Sequence, residues 1–173
     1  MEFTLRRATP DDLDAIMGLE SSTFGNDAWS TEMMSSELAS THTHYLFAFD
    51  PIEPAELAGY AGLLAPNGAR DAEVQTIAVA PSARRLGLGR TLMTALMAAA
   101  SARGARQLFL EVRADNPSAR TLYDSLGFEE IAVRKRYYKP DNVDAQVMRL
   151  ALPEPATLGE TATLPEPAGG GSS

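Results

Sequence analysis

One stretch constrains the fold more than any other: Thr76-Ile77-Ala78-Val79-Ala80-Pro81-Ser82-Ala83-Arg84-Arg85-Leu86-Gly87-Leu88-Gly89-Arg90. An apolar strand pattern ends at Pro81, a basic loop follows, and two glycines open a helix reaching about Ala102. Leu88, Leu92, Leu96 and Ala99 lie on one face of that helix. Helix starts carry free N–H groups and the positive end of the backbone dipole, so they take anions. Glycine lets the backbone approach a phosphate closely, and Arg84, Arg85 and Arg90 supply charge for further phosphates. On this stretch alone, an ordinary loop with solvated arginines stays open as a reading. A dinucleotide fingerprint needs a third glycine where Leu92 stands, and a short turn inside a parallel unit. A nucleoside triphosphate loop needs Gly-Lys-Ser/Thr, which the chain lacks.

The surrounding pattern alternates between helix and strand. Phe3 to Arg7 reads as a strand, and Thr9-Pro10-Asp11-Asp12 opens a helix with a cap, a proline at the first position and an acid three residues on. Leu13, Ile16, Met17 and Glu20 continue it. A loop from Ser21 to Trp29 leads to a second helix over about Ser30–Ser40. Strands at Tyr45–Asp50, Leu57–Ala65 and Ala72–Val79, joined by proline- and glycine-bearing turns, form an antiparallel meander. After the long helix come a strand at Gln107–Val112, a short helix at Pro117–Leu126, and strands at Glu129–Tyr137 and Ala145–Leu150. The expected order is β-α-α-β-β-β-α-β-α-β-β in a single domain over residues 1–152. From Pro153 the composition shifts: Leu-Pro-Glu-Pro-Ala occurs twice (Leu152–Ala156 and Leu164–Ala168), and the chain ends Gly169-Gly170-Gly171-Ser172-Ser173. Such a segment buries too little apolar surface to offset ordering entropy, so residues 153–173 are expected to be a disordered tail.

Composition narrows the chemistry. The 173 residues are 45% hydrophobic, enough for a sizeable core. The absence of cysteine excludes disulfides, thiolate metal sites and a cysteine nucleophile. Two histidines, His42 and His44, leave little for a metal and are read as structural or solvated. A formal charge of −8 argues against general nucleic-acid binding and suits a basic target. No run approaches the roughly 20 apolar residues of a membrane span, and the N-terminus lacks an apolar signal core. A cytoplasmic location is the resulting expectation, with no direct nucleic-acid or membrane partner.

Downstream of the glycine loop, Leu110-Glu111-Val112-Arg113-Ala114-Asp115-Asn116 leads into Pro117-Ser118-Ala119-Arg120-Thr121-Leu122-Tyr123, and Leu126-Gly127-Phe128 closes the helix. Asn116 and Tyr123 lie seven positions apart, so two turns stack them on one face. Taken singly, Glu111 reads as a solvated strand glutamate, Tyr123 as core and Asn116 as a helix cap. Together behind an anion loop they are a carboxylate, an amide and a phenol converging near one end of the sheet. Acyl transfer to an amine needs that set: a base for the amine proton, an acid for the leaving group, and a fixed N–H for the oxyanion, which Ile77-Ala78-Val79 can offer.

The pattern Arg84-x-x-Gly87-x-Gly89 between strand and helix resembles the coenzyme A pyrophosphate loop of the GNAT superfamily of N-acetyltransferases. From Thr76 to Leu150 the chain is similar to the bacterial ribosomal-protein-alanine N-acetyltransferases, the RimI family, through Leu110-Glu111-Val112-Arg113, Asn116, Leu122-Tyr123, Leu126-Gly127-Phe128 and Arg136-Tyr137-Tyr138. The resemblance implies a mixed α/β GNAT fold: a largely antiparallel sheet of about seven strands flanked by four helices. It implies acetyl-CoA as cosubstrate without a metal, Glu111 as general base through water, and Tyr123 as general acid toward the sulfur. Cofactor binding would fall to Ile77, Ala78, Val79, Arg84, Arg85, Leu86, Gly87, Leu88, Gly89, Arg90 and Asn116. Phe24-Gly25-Asn26-Asp27-Ala28-Trp29-Ser30 resembles the family's acceptor loop, though longer and without its proline. Trp29 is read either as a groove wall or as a buried staple, and Tyr138 as a second acceptor contact. Glu73 ranks as a base candidate below Glu111. The implied partner is the N-terminal segment of a protein, an N-terminal alanine on a small-subunit ribosomal protein. Small-molecule or lysine acetylation is the alternative within enzymes, and a coenzyme A-binding regulatory module the alternative outside them.

Overall fold

The local signals at the N-terminus are realised atom by atom. The computed structural model describes residues 2–154, so the expected tail beyond Glu154 lies outside the described residues. Strand β1 (Thr4–Arg7) runs into a short turn at Pro10–Asp12 that starts helix α1 (Leu13–Phe24). The Thr9 hydroxyl accepts the Asp11 N–H at 3.3 Å, and the Asp12 carboxylate accepts the Thr9 N–H at 2.8 Å. This reciprocal cap satisfies two donors that the helix itself cannot. Helix α2 (Thr31–Ala39) is capped by Ser30, whose hydroxyl accepts the Met33 N–H at 3.1 Å.

The remaining elements are β2 (Thr43–Phe49), β3 (Gly59–Leu64), β4 (Asp71–Val79), α3 (Leu88–Ala102), β5 (Gln107–Arg113), α4 (Pro117–Ser125), β6 (Glu129–Tyr138) and β7 (Val143–Ala151). The order matches the one expected from the sequence. The sheet has seven strands in the order β1-β2-β3-β4-β5-β7-β6. Every neighbouring pair is antiparallel except β4 and β5. Its two faces carry separate cores. Leu88, Leu92, Met93 and Leu96 of α3 and Tyr123 of α4 pack on Leu46, Leu63, Val74, Leu110 and Met148. Ile16, Met34 and Leu38 of α1 and α2 pack on Tyr45, Phe47, Tyr60 and Ala78. Among the described residues no helix is long and apolar enough to cross a membrane.

Two departures from a regular sheet position the site. The parallel ladder between β4 and β5 runs only from Asp71↔Gln107 to Glu73↔Phe109. Beyond it, Val74–Val79 and Leu110–Arg113 have no cross-strand partner in each other, and the sheet splits there into a gap. In addition, β4 carries an extra residue: Gly62 pairs with Thr76 but Leu63 pairs with Val74, leaving Gln75 unmatched. This bulge reverses the alternation of β4. Ala72 and Val74 face α3, as do Ile77 and Val79 after the bulge, while Thr76 and Ala78 face α1 and α2.

His44 on β2 is half-buried beside Arg7 and Arg103, and burial and those cations push its pKa down to about 4. The folded state therefore binds the His44 proton less well than the unfolded chain, whose histidine titrates near 6.5. This contribution is complete above pH about 6.5 and drains away as the pH falls toward 4. Partial exposure screens its size. Urea midpoints between pH 7 and pH 4 should fall less steeply in His44→Gln than in the parent chain.

Candidate active site

The gap between β4 and β5 has unpaired strand edges, so alternate N–H and C=O groups of Val74–Val79 point away from β3 into open space. At its vertex stands Glu73, opposite Phe109, and Glu111 lies two residues further along β5. Leu110 and Val112 belong to the core under α3, so Glu111 and Arg113 project to the α1/α2 face. Glu73, before the bulge, projects to the same face. Its carboxyl is pushed above the usual carboxylate range, first by desolvation and then by the Glu111 charge. The Glu73 side chain stays open to water on one side, which discounts that shift but leaves its sign.

Glu111 is 26% exposed, and its Oε2 accepts from the Arg134 Nη1 at 2.7 Å. The Arg134 guanidinium in turn lies 4.1 Å over the Tyr137 ring. Tyr137 and Tyr138 meet edge to face at 5.1 Å, and the Arg113 guanidinium sits 5.1 Å from the Tyr138 ring. Burial pushes the Tyr138 hydroxyl up to about 12, with Glu111 adding to the shift. Tyr138 and Glu111 therefore share one neighbourhood on the α1/α2 face.

The glycine loop lies at the other end of β4. Gly87 has φ 83 and ψ 5, a left-handed conformation that L side chains adopt only at a cost. Space beside it is open, since a Cβ there would meet nothing within 4 Å. No side chain caps α3. The first helical bond runs from the Thr91 N–H to the Gly87 carbonyl, so the N–H groups of Leu88, Gly89 and Arg90 precede the intrahelical ladder. Arg85 is also left-handed, at φ 65, and such reversals bend a loop into the concavities that bind anions. This cradle fits a pyrophosphate. Arg84 folds back, its Nε donating to the Val79 carbonyl at 3.0 Å, and Leu86 is exposed while Leu88 is buried in the core. Arg90 donates to the Ser125 hydroxyl at 2.5 Å, and a Cβ on Gly89 would touch Leu122 at 3.3 Å. Both contacts set the start of α3 against α4.

On α4, Tyr123 is 6% exposed and its ring meets Phe128 edge to face at 5.8 Å. Burial pushes its hydroxyl up to about 12. The hydroxyl has no hydrogen-bond partner among the described residues and is not among their enclosed unpaired polar atoms. Asn116 caps α4, its Oδ1 accepting the Ala119 N–H at 3.2 Å. The helix-cap reading of Asn116 thus holds, and its amide N–H groups remain available as donors. Glu111 and Tyr123 do not share a face: the sheet lies between their sides, with the gap as the opening through it.

The fold and the cradle together have a counterpart in known proteins. The Acetyltransferase (GNAT) family pattern matches residues 13–128, from α1 through the glycine loop to Phe128. The chain belongs to the GNAT family. Acetyl-CoA is the family's acetyl donor. The chain is 37% identical over 156 residues to the N-alpha-acetyltransferase RimI of Mycobacterium tuberculosis, covering 88% of this chain and 95% of that one. A Mycobacterium leprae protein is 41% identical over 145 residues, but the match spans only 38% of its length and 82% of this chain. The crystal structure of the ribosomal-protein-S18-alanine N-acetyltransferase of Escherichia coli superposes with a TM-score of 0.77 at 29% identity, over 90% of this chain and 97% of that one.

For this GNAT chain, several residues of the site make contacts that the sequence pattern does not announce. Trp29 is partly buried against the α1/α2 core, and its backbone N–H donates to the Glu20 Oε2 at 3.0 Å. Glu20 is 1% exposed, on the same helix face as Ile16. A charge one turn after a core isoleucine was the available signal. Arg113 gathers Asp27 at 2.6 Å, Asp115 at 3.0 Å and Asp141 at 3.2 Å, drawing three loops together. Asp115 is two residues away, but Asp27 and Asp141 are distant in sequence, so the local pattern does not announce the cluster.

Proposed function

We propose that the chain transfers the acetyl group of acetyl-CoA to the N-terminal α-amine of a protein, an N-terminal alanine on a small-subunit ribosomal protein being the favoured acceptor. The observation that carries this reading is the split between β4 and β5, with Glu111 on one face and the open start of α3 beside Tyr123 on the other. The N–H groups of Leu88, Gly89 and Arg90, with Arg85, would hold the pyrophosphate. The exposed edge of Ile77–Val79 would receive the acyl arm, and one of its N–H groups would face the carbonyl oxygen as charge builds there.

The chemistry then follows from proton bookkeeping. The amine nitrogen attacks the thioester carbonyl and the C–S bond breaks. Glu111 takes the amine proton through water, and Tyr123 donates to the departing sulfur, leaving an amide and a thiol. A phenol pushed to about 12 stays protonated at neutral pH, so Tyr123 is always ready to donate. The same dry surroundings raise the basicity of a thiolate placed beside it, which offsets part of the cost of taking a proton from so weak an acid. The absence of cysteine matches direct attack within a ternary complex.

Acceptor choice rests on energetics as well as relatives. A protein α-amine has a pKa of about 7.7–8.0 and lysine about 10.4, so deprotonating lysine at neutral pH costs roughly 3.4 kcal/mol more. One carboxylate base suits the α-amine better. A cytoplasmic location accompanies this reading, since ribosomal proteins and acetyl-CoA meet there. Residues 1–152 would suffice for it. The test uses acetyl-CoA with two peptides, one beginning with a free alanine and one N-terminally blocked with an internal lysine. Mass spectrometry should find one acetyl group on the first peptide and none on the second. Acetylation of the blocked peptide alone would point to a lysine enzyme instead.

A further inference from the structure

Glu20 is the one acidic side chain among the described residues to reach the buried class. None of the ion pairs among these residues includes it. Burying an unpaired carboxylate costs several kcal/mol unless donors replace its water. Here they do. Tyr60 of β3 and Thr76 of β4 both donate to Oε1, the latter at 2.9 Å, and the Trp29 N–H donates to Oε2 at 3.0 Å. A leucine at this position, one turn after Ile16, would pack without that cost. The carboxylate instead joins three elements that apolar contacts would leave free to slide.

Those elements matter because of where they lie. Thr76 sits on the split arm of β4, directly after the bulge and before Ile77–Val79. Trp29 ends the segment that follows α1, and the same segment carries Asp27, whose carboxylate accepts from Arg113 at 2.6 Å. Arg113 closes β5, the opposite arm of the gap. The Gly25–Ser30 segment is thus tied to one arm through Glu20 and to the other through Arg113. It straps the two arms on the face where Glu111 and Tyr138 project.

We propose that Glu20 and Arg113 are positioning residues whose two ties hold this strap, and thereby set where the acceptor amine stands relative to Glu111. The inference rests on the α-amine acetyltransferase reading above. Neither residue takes part in proton transfer. Loosening either tie should blur the acceptor position and leave the cofactor cradle at Gly87, on the far face, unchanged.

The test compares Glu20→Gln, Asp27→Asn and the double variant, with steady-state kinetics varying each substrate separately. A glutamine at 20 keeps the volume but removes the charge. Its oxygen can take the Trp29 N–H only if its amide N–H groups turn to the Tyr60 and Thr76 hydroxyls, so charge-assisted bonds are exchanged for weaker neutral ones with one donor direction reversed. Asp27→Asn weakens the partly exposed ion pair and leaves the core intact. The expected result is a fall of about 10-fold in kcat/KM for an alanine peptide in each single variant, carried mainly by the peptide KM. The acetyl-CoA KM should stay within about twofold. The double variant should lose less than the product of the single losses, because both ties serve one strap. A residue that merely stabilises the fold would instead lower kcat for both substrates together and leave both KM values alone. That result, or an unchanged peptide KM in folded Asp27→Asn, would overturn the proposal. Failure of the parent chain to acetylate any peptide would strike the functional reading itself, which separates the two outcomes.

Discussion

Glu111→Gln is expected to lower the turnover of an alanine peptide by about two to four powers of ten, and Tyr123→Phe to do the same. Acetyl-CoA affinity should be nearly unchanged in both. The two substitutions are clean because of what each side chain touches. Glu111 loses only its pair with Arg134, whose side chain is 52% exposed, and exposed pairs contribute about 0–1 kcal/mol to stability. Tyr123 loses a hydroxyl with no partner among the described residues and keeps the ring that packs against Phe128. Neither variant should therefore unfold, and the loss reports chemistry. Glu73 offers the natural comparison. Its raised carboxyl and neighbouring position make it a base only if Glu111→Gln retains most of its rate and Glu73→Gln does not. Near-parent turnover in both Glu111→Gln and Tyr123→Phe would reject the acid and base assigned here.

Gly87→Asp should reduce acetyl-CoA affinity at least about 100-fold. Two effects act together. At φ 83 an L side chain is strained, by about 1–2 kcal/mol, so the loop shifts away from its present shape. The new carboxylate would also compete for the N–H groups of Leu88, Gly89 and Arg90 as an internal anion, in the place a phosphate would occupy. Losing two charge-assisted hydrogen bonds at about 1.5–3 kcal/mol each suffices for the expected drop. Gly87→Ala separates the causes: its Cβ meets nothing within 4 Å, so it carries strain without the charge and should fall between the parent and Gly87→Asp. Thermal shifts with and without acetyl-CoA read the difference by mass action.

The elements themselves were legible because each is written locally. Thr9 and Asp12 announce a cap, Leu88, Leu92 and Leu96 a buried helix stripe, and Gly87 with Gly89 a helix start open to an anion. The glycine loop and the Glu111, Asn116 and Tyr123 spacing could likewise be read along the chain. What could not be read is long-range. The bulge at Gln75 depends on how β4 registers against β3, and no residue in Asp71–Val79 signals it. The split between β4 and β5 is a property of two strands that meet through a helix, and the opposite sides on which Glu111 and Tyr123 lie follow from the alternation of β5 and the face that α4 covers, where spacing alone suggested one shared end. The Glu20 and Arg113 ties join residues far apart in sequence. Trp29 is instructive in the same way: the hydrogen bond from its backbone N–H to Glu20 could not be read from its residue type.

Calorimetric titration of acetyl-CoA into the folded chain tests the central claim most directly. If the start of α3 grips a pyrophosphate, heat should fit a single site, weaken as salt screens the phosphate contacts, and vanish in Gly87→Asp. A folded chain that takes up no acetyl-CoA, or one whose Gly87→Asp variant binds it as the parent does, would contradict the account.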